Sequence, residues 1–77
     1  MKTEINATLD ARGLNCPLPI LRTKKTLAQM ATGENLELVS TDPGSLKDID
    51  SFCNQTGNVL IENSNSDGEF KFIIRKA

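Results

Sequence analysis

Histidine, tryptophan and tyrosine are all missing from this 77-residue chain, and phenylalanine occurs only three times. Without histidine the chain lacks the commonest general base near neutral pH and the commonest metal ligand. Its two cysteines, Cys16 and Cys53, are too few for a disulfide framework and cannot complete the four-ligand shell of a structural zinc. No metal and no resident cofactor is therefore expected. Nowhere do apolar residues run for the roughly 20 positions that a membrane-spanning helix needs. The opening residues, Met1 to Asn6, lack the apolar core of a secretory leader. The expected compartment is the cytoplasm, where both thiols stay reduced. So short a chain points to one domain over residues 1–77, with a small core and no room for a deep pocket. Chemistry on such a chain belongs at its surface, with partners supplying much of the machinery.

The net charge of −1 hides a segregation. Residues 11–33 hold Arg12, Arg22, Lys24 and Lys25 and no acid, whereas residues 34–69 hold eight acids and one base, Lys47. A run of one sign is commonly just a solvated helix face. This one brackets Cys16, so it also reads as a positive field that stabilises a thiolate and docks an acidic partner.

Apolar spacing predicts the elements. Ile5, Ala7 and Leu9 alternate with polar neighbours as a first strand, broken over Asp10–Gly13. From Pro17 the period becomes helical, with Ile20, Leu21, Leu27, Ala28 and Ala31 on one side and an end at Gly33. Leu36, Leu38 and Val39 form a second strand, stopped by Thr41-Asp42-Pro43-Gly44. Ser45, with Asp48 three residues on, resembles a capping box, although a looser turn before a start at Asp50 is an alternative. Leu46, Ile49, Phe52 and Cys53 line this second helix, which ends at Gly57. Val59–Ile61 is a third strand, Asn65–Gly68 a hairpin signal, and Phe70, Phe72 and Ile74 alternate along a fourth strand. The order βαβαββ makes the helix-linked strands parallel and the final pair antiparallel. The expected fold is an α/β (α+β) two-layer sandwich, a four-stranded mixed sheet with two helices on one face.

Cys16 stands just before the first helix, which makes it the candidate N-cap, with Pro17, Leu18 and Pro19 as the first three helical residues. Proline suits those positions because the first-turn N–H groups have no intrahelical partner. The N–H of Leu18 would then point back toward the sulfur. A helix N-terminus carries about half a positive charge, and a free thiol of pKa about 8.5 is mostly protonated at neutral pH. That placement, with Arg12 or Arg22 near, lowers the thiol pKa and favours the nucleophilic thiolate. Cysteine is a poor N-cap beside Ser, Thr, Asp or Asn, so its presence there points to reactivity. A buried, inert Cys16 is the plainer alternative.

Cys53 lies on the apolar stripe of the second helix and reads as core; as a resolving thiol it would need a Cα within about 7 Å of that of Cys16. Lys24 falls inside the apolar stripe of the first helix, either snorkelling from its edge or docking a partner carboxylate. It is about 12 Å along the axis from Cys16, too far for an ion pair with the sulfur. Asp42 belongs to ordinary turn chemistry, yet it follows the carboxyl end of a parallel strand, where α/β sites form. Cys16 follows the first such end, so the two loops should share one edge.

Leu9-Asp10-Ala11-Arg12-Gly13-Leu14-Asn15-Cys16-Pro17-Leu18-Pro19, together with Thr41–Ser45, Asp48, Ile49 and Phe52, resembles the signature of the TusA/SirA-like sulfur carrier family over essentially the whole chain. The resemblance implies a two-layer α/β sandwich and a persulfide on Cys16, supported by Asp10, Gly13, Pro17, Leu18 and Pro19. It implies a protein sulfur donor, a cysteine desulfurase or a rhodanese-like protein. It also implies a protein acceptor in a relay toward tRNA thiolation, sulfur oxidation or cofactor sulfur trafficking. Lys24 and Asp42 match positions near the family's partner-facing side, and Arg12 and Arg22 join them as partner-binding candidates by charge. Leu18 stands where some thiouridine-branch members place an acid, and the Lys24-Lys25 pair is similar to members linked to sulfur oxidation. The chemistry is half of a sulfurtransferase reaction, and a monomer is expected. Two other classes compete. A nucleic-acid-binding module conflicts with the acid excess over residues 34–69, the three aromatics and the lack of a basic stripe. The other is a thiol redox or regulatory interaction module, for which Cys53 is the discriminating residue, since a two-thiol redox cycle would need it.

Overall fold

A computed structural model describes residues 4–15 and 17–77. Its elements run β1 (Ala7–Ala11), α1 (Leu18–Ala28), β2 (Asn35–Ser40), α2 (Ser45–Thr56), β3 (Val59–Ser66) and β4 (Glu69–Arg75). The sheet order is β1-β2-β4-β3. β1 and β2 are parallel, whereas β4 is antiparallel to both β2 and β3. The expected βαβαββ order and mixed four-stranded sheet are therefore observed.

Alternation explains the core. Leu36 and Leu38 of β2 and Phe72 and Ile74 of β4 are buried, with Leu36 paired to Ile74 and Leu38 to Phe72. Ala11, Leu27, Ile49 and Cys53 close over them from β1 and the two helices. The hairpin is tighter than Asn65–Gly68. Both strands run to the Ser66–Glu69 pair, and Asp67 (φ 51°) and Gly68 (φ 78°) make the turn alone. Two successive positive φ values are what a two-residue type I′ hairpin requires, and Asp-Gly supplies them at low steric cost.

Both helices depart from expectation. α1 begins at Leu18, one residue late, and ends at Ala28 rather than Gly33. Pro17 occupies the cap position (φ −96°, ψ 13°), and its carbonyl accepts the first helical bond from the Leu21 N–H at 3.1 Å. The buried face is Pro19, Thr23 and Leu27, while Leu21 and Ala28, both expected inside, are exposed. Thr23 can sit in the core because its hydroxyl donates to the Pro19 carbonyl at 2.7 Å, meeting its hydrogen-bonding need within the helix. In α2 the expected capping box does not form. Gly44 is the cap, with no side-chain cap bond, and Ser45 is the first helical residue. The Ser45 hydroxyl is drawn inward instead, to Ser40 Oγ at 2.6 Å. Leu46 is exposed, Ile49 and Cys53 are buried, and Gly57 ends the helix at φ 79° as expected.

Candidate functional site

Cys16 lies outside the described residues, so the site is built from what flanks it. The parallel register pairs Ala11 with Ser40, so the chain leaves β1 and β2 at one edge of the sheet. The two exit loops are joined directly: the Gly13 N–H donates to Thr41 Oγ1 at 2.9 Å. Gly13 has φ +81°, a backbone state costly for any residue with a Cβ, although no atom of the described residues stands within 4 Å of where a Cβ would be. The glycine is therefore there for the turn and not for clearance. Leu14 N–H then bonds the Ala11 carbonyl at 3.2 Å, closing the bend.

Asp10 and Arg12 clamp the start of this bend. The Arg12 backbone N–H and Nε both donate to Asp10 Oδ1, at 3.0 and 2.9 Å, and its guanidinium reaches Asp10 Oδ2 at 3.0 Å. Glu69 adds a second carboxylate 3.5 Å from the same guanidinium. Bonding to Arg12 holds the Asp10 carboxyl below its ordinary range. Arg12 is thus a cation already shared by two carboxylates, which weakens its expected part in activating a thiol. The Leu18 N–H also differs from expectation, since it donates to the Asn15 carbonyl at 2.8 Å. Pro17 and Pro19 carry no N–H. What α1 offers an anion at this end is therefore its dipole and, in the first turn, the Ile20 N–H.

Across the edge, Asp42 shapes the second loop. Its N–H donates to Ser40 Oγ at 3.2 Å, and its Oδ1 accepts the Gly44 N–H at 3.0 Å. The Ser45 N–H bonds its carbonyl at 3.0 Å. The site thus brings together Asp10, Arg12, Gly13 and the 41–45 loop. Ser40 and Glu69 belong to it without having been singled out by sequence reasoning, and Thr41 and Ser45 read from the sequence only as turn, cap and signature residues. Apart from the strand-end position of Thr41, no sequence signal ties it to Gly13, 28 residues away.

Arg22 and Lys24 part company. Arg22 lies beside Leu18 and Leu21 on the β1 side of α1. Lys24 is exposed on the other flank and lines a shallow groove with Phe52, Thr56 and Lys76, so the four partner-binding candidates do not form one surface. No group of three or more His, Cys, Asp or Glu side chains is placed to hold a metal among the described residues. Nor is any helix of the described residues long and apolar enough to cross a membrane.

Cys53 is buried in the core. Burial, with Asp50 adding like charge, pushes its thiol up to about 11 from an ordinary 9.0. Below pH 9 the thiol is neutral in folded and unfolded chains alike, so folding is unaffected. Between 9 and 11 only the unfolded chain ionises, and stability falls as pH rises through that window. Urea unfolding of the protein and of Cys53→Ala from pH 8 to 11 checks this, because the slope should be shallower in the variant.

The family model described as "Sulfurtransferase TusA" matches residues 7–76. The chain is 54% identical over 74 residues to "Sulfur carrier protein TusA" of Allochromatium vinosum, covering 96% of this chain and 97% of that protein. It is 52% identical over 68 residues to a putative sulfur carrier protein of Neisseria meningitidis serogroup B, covering 88% and 92%. Among solved structures, a SirA-like protein of Desulfitobacterium hafniense superimposes with a TM-score of 0.80 at 27% identity, covering 90% of this chain and 95% of that one. With a family match spanning β1 to the end of β4, the chain belongs to the TusA sulfurtransferase family.

Proposed function

We propose that the chain is a sulfur carrier that holds sulfane sulfur as a persulfide on Cys16. Family membership over residues 7–76 carries this reading. The tied edge that flanks Cys16 supports it, with Gly13 held to Thr41 on one side and Pro17 opening α1 on the other. In loading, the Cys16 thiolate attacks the terminal sulfur of a donor persulfide. A new S–S bond forms to Cys16 as the donor's S–S bond breaks, and the donor cysteine leaves as thiolate. Unloading reverses the roles, with an acceptor nucleophile attacking the terminal sulfur and the Cys16 thiolate leaving. Neither half needs an external oxidant or a resident cofactor. The donor is a protein, a cysteine desulfurase or a rhodanese-like enzyme. The acceptor is a protein in a relay serving tRNA thiolation, sulfur oxidation or cofactor sulfur delivery, and the compartment is the cytoplasm.

Incubation with a cysteine desulfurase and cysteine should add the mass of one sulfur atom to the intact protein. Dithiothreitol should remove the adduct, and Cys16→Ser should never acquire it. A labelled Cys16→Ser protein would end the proposal.

A further inference from the structure

β1 lies at one end of the sheet order and pairs only with β2. The main-chain N–H and C=O groups on its outer side therefore have no strand partner among the described residues. Above that edge, α1 overhangs an open groove of about 570 Å³ lined by Leu9, Leu18, Leu21, Arg22, Lys25 and Gln29, among others. Leu18 and Leu21 are 45% and 54% exposed, unusual for leucines on a helix that has a core to face. Among the described residues, no carboxylate lines the groove. The apolar floor, cationic rim and unpaired strand edge run side by side, and Leu18 brings their upper end within two residues of Cys16 in sequence.

We propose that this groove docks an extended segment of an acidic protein partner, which adds to the sheet as a strand beside β1. Spacing sets what the segment must carry. Leu21 and Lys25 are about 6 Å apart along α1, and residues i and i+2 of a strand are about 6.6 Å apart on one face. A segment with an apolar residue, followed two positions later by Asp or Glu, meets Leu21 with the first and Lys25 or Arg22 with the second. Strand pairing supplies main-chain affinity, and the two side chains supply selectivity. A second copy of this chain is a poor occupant, since facing β1 edges would set Arg22 and Lys25 of one copy against those of the other. The proposal deepens the carrier reading by giving the relay a partner surface, and it rests on that reading only for the partner's role.

The probe is a capped peptide about six residues long, threonine throughout except for one leucine and a glutamate two positions after it. Titrated into isotope-labelled protein, it should produce saturable amide shifts centred on Ala7, Leu9, Leu21 and Lys25. Exchanging its glutamate for lysine should weaken binding about five- to ten-fold, the range expected when an exposed ion pair becomes a repulsion. Lys25→Glu should reverse the preference between the two peptides. Shifts centred on β3 or on Leu46, equal binding of both peptides, or no saturable shift would overturn the proposal. One control separates this result from the persulfide reading: Cys16→Ser should take no sulfur and yet bind the peptide as the parent does.

Discussion

Replacing Phe72 with alanine should lower the free energy of unfolding by about 3–5 kcal/mol. Phe72 is 1% exposed and sits on β4, which is flanked by β2 and β3. Its register partners are Leu38 and Asn63, and its side chain belongs to the same core as Leu27, Ile49 and Cys53. Truncation removes the transfer energy of the ring and leaves a cavity that two helices and a hydrogen-bonded sheet can only partly close. A domain of this size has roughly 4–12 kcal/mol of stability in all, so the variant should be close to unfolding at physiological temperature. Urea unfolding checks this, with the midpoint falling sharply and the slope unchanged. Val59→Ala, on the exposed edge strand β3, serves as the control and should stay within about 1 kcal/mol of the parent. A Phe72→Ala protein that lost no more than the control would mean that β4 does not anchor the core.

The same alternation that buries Phe72 made the sheet legible in the sequence. Phe70, Phe72 and Ile74 can face one layer only, and Leu36 and Leu38 answer them across the β2–β4 register. A one-residue slip would turn every one of those side chains to solvent, so pattern and topology determine each other. The helices were less legible because their faces do not follow hydrophobicity. Thr23 is fully buried, as its hydroxyl finds the Pro19 carbonyl, while Leu21 stands half in solvent over the β1 edge. A wheel built on apolar residues alone reverses those two positions. Local capping rules failed at Ser45 for a similar reason: a tertiary partner, Ser40, outcompeted the local one. At the site, Cys16 stood out by its setting between Asn15 and the Pro17-Leu18-Pro19 turn. The bonds that position its loop could not be read that way. Thr41 to Gly13 and Arg12 to Glu69 span 28 and 57 residues and exist only because parallel pairing of β1 with β2, and β4 beside them, brings the strand ends together.

Ser40→Ala and Ser45→Ala should each destabilise the protein by about 1–3 kcal/mol, and the double variant should lose less than their sum. Both residues are buried, at 0% and 2% exposure, and their hydroxyls meet at 2.6 Å with no solvent to replace either partner. Removing Ser40 leaves the buried Ser45 hydroxyl without this partner, removing Ser45 leaves Ser40 with the Asp42 N–H alone, and removing both takes the shared need away with the bond. Ser40 should prove the costlier of the two, because its oxygen also accepts the Asp42 N–H, a bond that Ser40→Ala removes and Ser45→Ala keeps. The consequence reaches the edge that flanks Cys16. Ser40 is the last residue of β2, and the next residue, Thr41, holds Gly13. Loosening the turn at Asp42 should free the Thr41 hydroxyl, speed hydrogen exchange at the Gly13 amide and slow sulfur loading at Cys16, even under conditions where the variant is fully folded. Additive single and double variants, or a Gly13 amide no faster in Ser40→Ala than in the parent, would show that the buried serine pair stabilises the core without positioning the loop.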